Sequence, residues 1–149
     1  MITRELICRE ARGWIGTPYL HQASIKGVGC DCLGLVRGVW LALYDVAPEV
    51  PPPYRADWAE AGGMETLRDA ATRHLVPILL DEIGPGDVLL FRWRAHVPAK
   101  HLAIVTHADA DDVRMVHAHD GASVCEVALS GWWRRHLAYA FSFPNILDQ

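Results

Sequence analysis

The chain has no long apolar run. Nowhere do its hydrophobic residues approach the ~20 in a row that a membrane-spanning helix needs, so no membrane insertion is expected. At the amino terminus Arg4, Glu5, Arg9, Glu10 and Arg12 interrupt any apolar core of a secretion signal, and no cleavage site is visible. The expectation is a protein made in the cytoplasm that stays there unless something else carries it out. Basic charge is also scarce: 14 Lys and Arg against 18 Asp and Glu leave a net charge of −4, which argues against a general nucleic-acid binder. The one basic cluster, Arg134-Arg135-His136, is short and reads as a solvated surface patch. Cysteine is limited to Cys8, Cys30, Cys32 and Cys125, whose spacing does not suggest a disulfide framework. Cys30 and Cys32 stand closer than an ordinary metal-binding pair and no second pair follows, so no metal site is expected. Repeats, low-complexity tracts and a Gly-rich phosphate loop are all missing.

What remains is one ordinary domain over residues 1–149, with 51% hydrophobic residues to build a core. Its organising stretch is Gly29-Cys30-Asp31-Cys32-Leu33-Gly34-Leu35-Val36. From Cys32 the apolar residues fall at Cys32, Leu35, Val36, Val39, Trp40 and Leu43, the spacing of a helix over 32–44 with one wide buried stripe. Asp31 is placed to cap it. Gly34 and Gly38 are poor helix formers, so a close approach by another backbone or by substrate is expected there. A thiol on the first turn of a helix feels the positive end of the macrodipole and has unpaired N–H groups beside it. Both favour the reactive thiolate and supply donors for an oxyanion. Cys32 is therefore either a nucleophile or a small buried apolar residue.

Around this stretch the chain reads as helices first and strands after. Thr3 to Ile15 has one apolar face and a capping Thr3, and Gly16-Thr17-Pro18 ends it. Pro48, Pro51, Pro52 and Pro53 mark an extended connector over 45–54, and 58–75 reads as helical with a break at Gly62-Gly63. Gly84-Pro85-Gly86-Asp87 is a turn before a buried strand, Val88 to Phe91. Strands at 102–106, 113–119, 123–129 and 137–143 follow, with a hairpin loop at 109–112 and a short helix or turn at 130–136. This order predicts an α+β fold with mostly antiparallel strands.

A thiol nucleophile needs a base, and imidazole has the right pKa. Of the eight histidines, His101 opens a strand after the loop 92–100, a rigid yet open position. His117 and His119 project from one face of the next strand, either beside that base or as a solvent-facing polar pair. His21 is either a pocket wall or an exposed loop residue.

Asp31-Cys32-Leu33-Gly34-Leu35-Val36, Gly16-Thr17-Pro18-Tyr19, the turn at Gly84 to Asp87, His101-Leu102-Ala103-Ile104 and Val116-His117-Ala118 together resemble, in order and over most of the chain, the NlpC (p-sixty) family of papain-like cell-wall cysteine peptidases. Leu33, where the family commonly has Ser, resembles the phage and gene-transfer-agent branch. Leu20 to Ala23 departs from the family's aromatic residue and two glycines, so the pocket wall differs there. The resemblance implies a papain-like fold in which N-terminal helices pack on a five- to six-stranded sheet. It implies Cys32 as nucleophile, His101 as base and His117 as the residue orienting it. Tyr19, Asp31 and Leu33 would position substrate and oxyanion, and His21 and His119 would line the pocket. No cofactor is implied. The implied substrate is a peptidoglycan stem peptide, cut between γ-D-glutamate and the diamino acid. The branch implies carriage by a phage-like tail, with tail hub or baseplate proteins as partners. Two other classes remain: an amidase or acyltransferase with the same Cys-His chemistry, and a non-catalytic wall-binding tail module.

Overall fold

A computed structural model describes residues 1–44 and 65–148. The proline-rich connector and the Gly62-Gly63 break lie outside the described residues.

Helix α1 (Arg4–Arg12) starts at Thr3, whose hydroxyl accepts the Leu6 N–H at 3.1 Å. It buries Ile7, Cys8 and Ala11 and stops three residues short of the expected end, because Gly13 to Gly16 turn and fold Trp14 under the core. Two short strands, β1 (Ser24–Ile25) and β2 (Gly29–Cys30), make a small hairpin that leads into α2 (Cys32–Tyr44). Helix α2 has the predicted bounds. Its apolar stripe buries Leu35, Val36 and Val39. After α3 (Thr66–His74) the chain runs through β3 (Val76–Ile78), β4 (Val88–Phe91), β5 (His101–Ala108), β6 (Val113–His117), β7 (Cys125–Ala128), α4 (Gly131–His136) and β8 (Leu137–Ser142).

Strands β3 to β8 form one sheet of six in the order β3-β8-β4-β5-β6-β7, with every neighbouring pair antiparallel. The class is α+β, as expected. Both faces of the sheet are covered. Val88, Leu90, Leu102, Ile104, Val116 and Phe141 share one core with Ile7, Ala11, Leu35 and Val39 of α1 and α2. The alternate residues Leu89, Phe91, Ala103, Val105, Met115 and Ala140 form a second core closed by Leu129 and Trp133. Strand periodicity puts Ala103 and Val105 of β5 on this second face.

The turn before β4 is anchored by a buried carboxylate. Asp87 is fully buried and accepts from Arg4 Nη1 at 2.8 Å, Ser142 Oγ at 2.6 Å and the Gly84 N–H at 2.8 Å. Gly86 sits at φ +89°, where a side chain would be strained. Together these tie α1, the turn and the last strand to one point. Asp87→Ala removes the only anion in this network and leaves three donors facing it, so it is expected to cost about 3 kcal/mol in urea denaturation.

Candidate active site

The nucleophile position is built by a loop that wraps the start of α2. The Cys30 N–H donates to Pro18 O at 3.1 Å and the Leu20 N–H to Cys30 O at 3.0 Å, which holds Tyr19 beside the entry to the helix. Asp31 does what a cap does: its Oδ1 accepts the Gly34 N–H at 2.7 Å. Its Oδ2 accepts the Gln22 N–H at 2.8 Å, pinning a residue held at φ +67°. The two awkward glycines of α2 are explained by neighbours, not by substrate. A Cβ at Gly34 would lie 1.8 Å from the Ala23 carbonyl oxygen, and one at Gly38 would lie 2.1 Å from the Trp14 ring. Gly34 is what lets the loop lie against the helix beside Cys32, and Ser24 Oγ closes that contact by donating to Gly34 O at 2.6 Å.

Cys32 is half-buried, and its thiol donates to the Lys100 carbonyl at 3.8 Å. Burial and the neighbouring Asp31 carboxylate push the thiol up to about 12, against the pull of the Leu102, Leu33 and Cys32 N–H groups. The helix terminus pulls toward the thiolate, as expected, but it does not act alone. The three N–H groups are present, but desolvation and an adjacent anion outweigh them. Cys30 is fully buried and pushed up to about 11, and burial also raises Cys8.

The imidazoles come from the two central strands. His101 Nε2 lies 2.9 Å from His117 Nδ1. Both rings are buried, at 4% and 3% exposure. Burial first, and the neighbouring imidazoles after it, lower His101 well below the ordinary histidine range. Burial and His119 lower His117 to about 4. One of the two bonded nitrogens donates and the other accepts. With Nε2 of His101 so engaged, Nδ1 is the nitrogen left to serve a thiol.

A cavity of about 430 Å³ joins these parts. Cys32, His101, Tyr19, Asp31 and Leu33 line it, together with His21 and His119. Every expected site residue is thus at the cavity except His117, which lies behind His101. Burial, followed by Cys32 and Asp31, raises Tyr19, so its phenol remains a donor. Sequence reasoning missed Lys100, Trp93 and Trp132, which also line the cavity, and Trp133, which packs on His101. The only signal for the indoles was the number of tryptophans, six in 149 residues, one of which, Trp93, lies in the loop before the strand that His101 opens. Among the described residues no group of three or more His, Cys, Asp or Glu is placed to hold a metal ion, and no helix is long and apolar enough to cross a membrane.

The neutral histidine pair has a consequence for stability. An imidazole whose folded pKa lies below its unfolded value near 6.5 is protonated first in the unfolded chain, so stability is held above that pH and lost as pH falls toward 4. The Tm is expected to drop steadily between pH 6.5 and 4, with a shallower slope in His117→Asn, as read by thermal scans at fixed ionic strength.

No protein-family model matches the sequence, and no curated protein matches it either. Solved structures do. The chain is similar to the NlpC/p60 domain of the peptidoglycan hydrolase SagA, with a TM-score of 0.64 at 21% identity, over 95% of this chain and 100% of that one. It is similar to an NlpC/p60 family protein from Bacillus cereus, with a TM-score of 0.65 at 17% identity, over 95% of this chain and 40% of that one. It is also similar to the peptidoglycan hydrolase RipB from Mycobacterium tuberculosis, with a TM-score of 0.58 at 18% identity, over 93% of this chain and 63% of that one. The chain therefore has the NlpC/p60 fold, and it spans the whole of one neighbour but only part of the others.

Proposed function

We propose that the protein is a peptidoglycan-degrading cysteine peptidase acting on wall stem peptides, at the bond between γ-D-glutamate and the diamino acid. The observation that carries this reading is a thiol at a helix N-terminus lining one cavity with His101, itself hydrogen-bonded to the buried His117, in a fold shared with peptidoglycan hydrolases. In the reaction, His101 takes the Cys32 proton as sulfur attacks the peptide carbonyl. The Cys32 N–H, aided by Tyr19, holds the oxyanion. His101 then gives its proton to the leaving amine, and a water that it activates releases the acyl group from sulfur. His117 keeps His101 in the tautomer that presents Nδ1 as the base.

The test is digestion of defined muropeptides by the purified protein, with fragments identified by mass. A new free amine on the diamino acid and a free γ-carboxyl on glutamate are expected. Transfer of the acyl group to an acceptor other than water would instead make the protein an acyltransferase. The Asp31-Cys32-Leu33-Gly34 form of the motif supports carriage by a phage-like tail or gene transfer agent, with hub or baseplate proteins as partners. Proteomics of purified particles decides that point without touching the chemistry.

A further inference from the structure

The proposed mechanism creates a positive charge on His101, and the hydrogen-bonded partner waiting for it is a neutral imidazole. Among the described residues no carboxylate hydrogen-bonds to His101 or His117. The charged or titratable groups that bear on His101 are His117, His119 and Lys100, and each disfavours a second positive charge. Asp31 and Asp120 line the cavity, but Asp31 is engaged with the Gly34 and Gln22 N–H groups. Apart from the anion that forms as Cys32 gives up its proton, no charged group at rest favours an imidazolium held at 4% exposure.

Two indoles lie against the ring. The Trp93 centroid is 5.3 Å from that of His101 with 27° between the planes, and the Trp133 centroid is 5.3 Å away at 26°. The two indoles lie 5.9 Å from each other, so the three rings make a near-equilateral cluster. Trp93 comes from the loop before β5 and Trp133 from α4, elements about forty residues apart in sequence that meet around this histidine. Trp133 is held from its other neighbours by Phe91 at 5.1 Å and Trp132 at 4.8 Å, both at steep angles. A cation within about 6 Å of an indole centroid is attracted by the negative face of the ring, and more strongly when water is excluded.

We propose that Trp93 and Trp133 are positioning residues that fix the plane of His101 and stabilise its imidazolium through their ring faces, in place of a carboxylate. The proposal rests on the Cys32–His101 reading of the site. The proton balance is unchanged: the proton leaves Cys32 Sγ for His101, and the indoles take no part in its transfer.

The test grades the electronics of one ring at nearly constant shape. Tryptophan at position 133 is replaced site-specifically by its mono-, di- and trifluoro forms, with Trp93→Phe as an independent variant. Two rates are read: kcat on one defined muropeptide, and alkylation of Cys32 by iodoacetamide with the label located by peptide mapping. Alkylation needs the same proton transfer but no wall substrate. A stepwise fall in both rates, reaching about tenfold in the trifluoro protein, with KM changed less than twofold, is expected. Rates flat within twofold across the fluorine series overturn the proposal. So does a fall in kcat with flat alkylation, since the indole would then be acting on the substrate. If the unsubstituted protein cleaves no muropeptide but alkylation still falls stepwise, the substrate assignment fails and the role of the indoles stands.

Discussion

Cys32→Ala abolishes muropeptide cleavage, by at least about 10⁴-fold in kcat/KM, and leaves the fold intact. The size follows from the acyl-enzyme. Without sulfur there is no covalent intermediate, and an activated water would have to do in one step what the thiol divides into two. The fold survives because Cys32 contributes little that alanine does not. The cap on α2 belongs to Asp31, the loop contact to Gly34, and alanine is a better helix former than cysteine. The unfolding midpoint is expected to stay within the ±0.5 kcal/mol typical of mild substitutions, checked by urea denaturation beside the activity assay. A folded Cys32→Ala protein that still cuts muropeptides would overturn the nucleophile. The resting ionisation sharpens the argument. With the thiol pushed up to about 12 and His101 lowered, the pair rests uncharged, so sulfur becomes nucleophilic only as His101 accepts its proton. Catalysis is then of the general-base kind, and the thiol is not expected to be hyper-reactive toward small electrophiles in the absence of substrate.

How much of this was legible in the sequence varies with the range of the interactions responsible. The bounds of α2 were readable because a capping Asp31 and an unbroken apolar stripe act within a few residues of each other. The core strand β4 was readable as four apolar residues after a turn. The hairpin of β1 and β2 was not, since two-residue strands carry no periodicity. Neither was β3, an edge strand with Pro77 at its centre that exists only by pairing with β8, more than sixty residues on. At the site, Cys32 and His101 stand out through motif and position. What burial does to Cys32 was not legible, because the dipole is a local property and burial is not. Asp31, read as a cap and as a positioning residue, also sets a negative charge beside the sulfur. The indoles against His101 were invisible for the same reason: nothing in the sequence around Trp93 or Trp133 announces a shared neighbour.

The histidines should separate into three grades of damage. His101→Ala is expected to approach the loss seen without Cys32, because the base of the first half-reaction and the acid for the leaving amine go together. His117→Ala should give a folded protein with kcat reduced about 10²- to 10³-fold and KM little changed. Its Nδ1, 2.9 Å from His101 Nε2, is the acceptor that keeps the proton on Nε2 and leaves Nδ1 of His101 free to act. Without it the ring is free to adopt the wrong tautomer. His117→Asn should recover part of the loss, since an asparagine carbonyl oxygen sits about where Nδ1 sits and accepts the same hydrogen bond. His117→Gln, one carbon longer, should recover less. His119→Ala should cost about tenfold or under. His119 lines the cavity, and its ring meets His101 edge-on, 5.6 Å between centroids, without a hydrogen bond to it. The measurement is kcat and KM on one muropeptide for all five variants, with circular dichroism as the check on folding. If His119→Ala proves crippling while His117→Ala is mild, the imidazole that orients His101 during turnover is not the one bonded to it at rest.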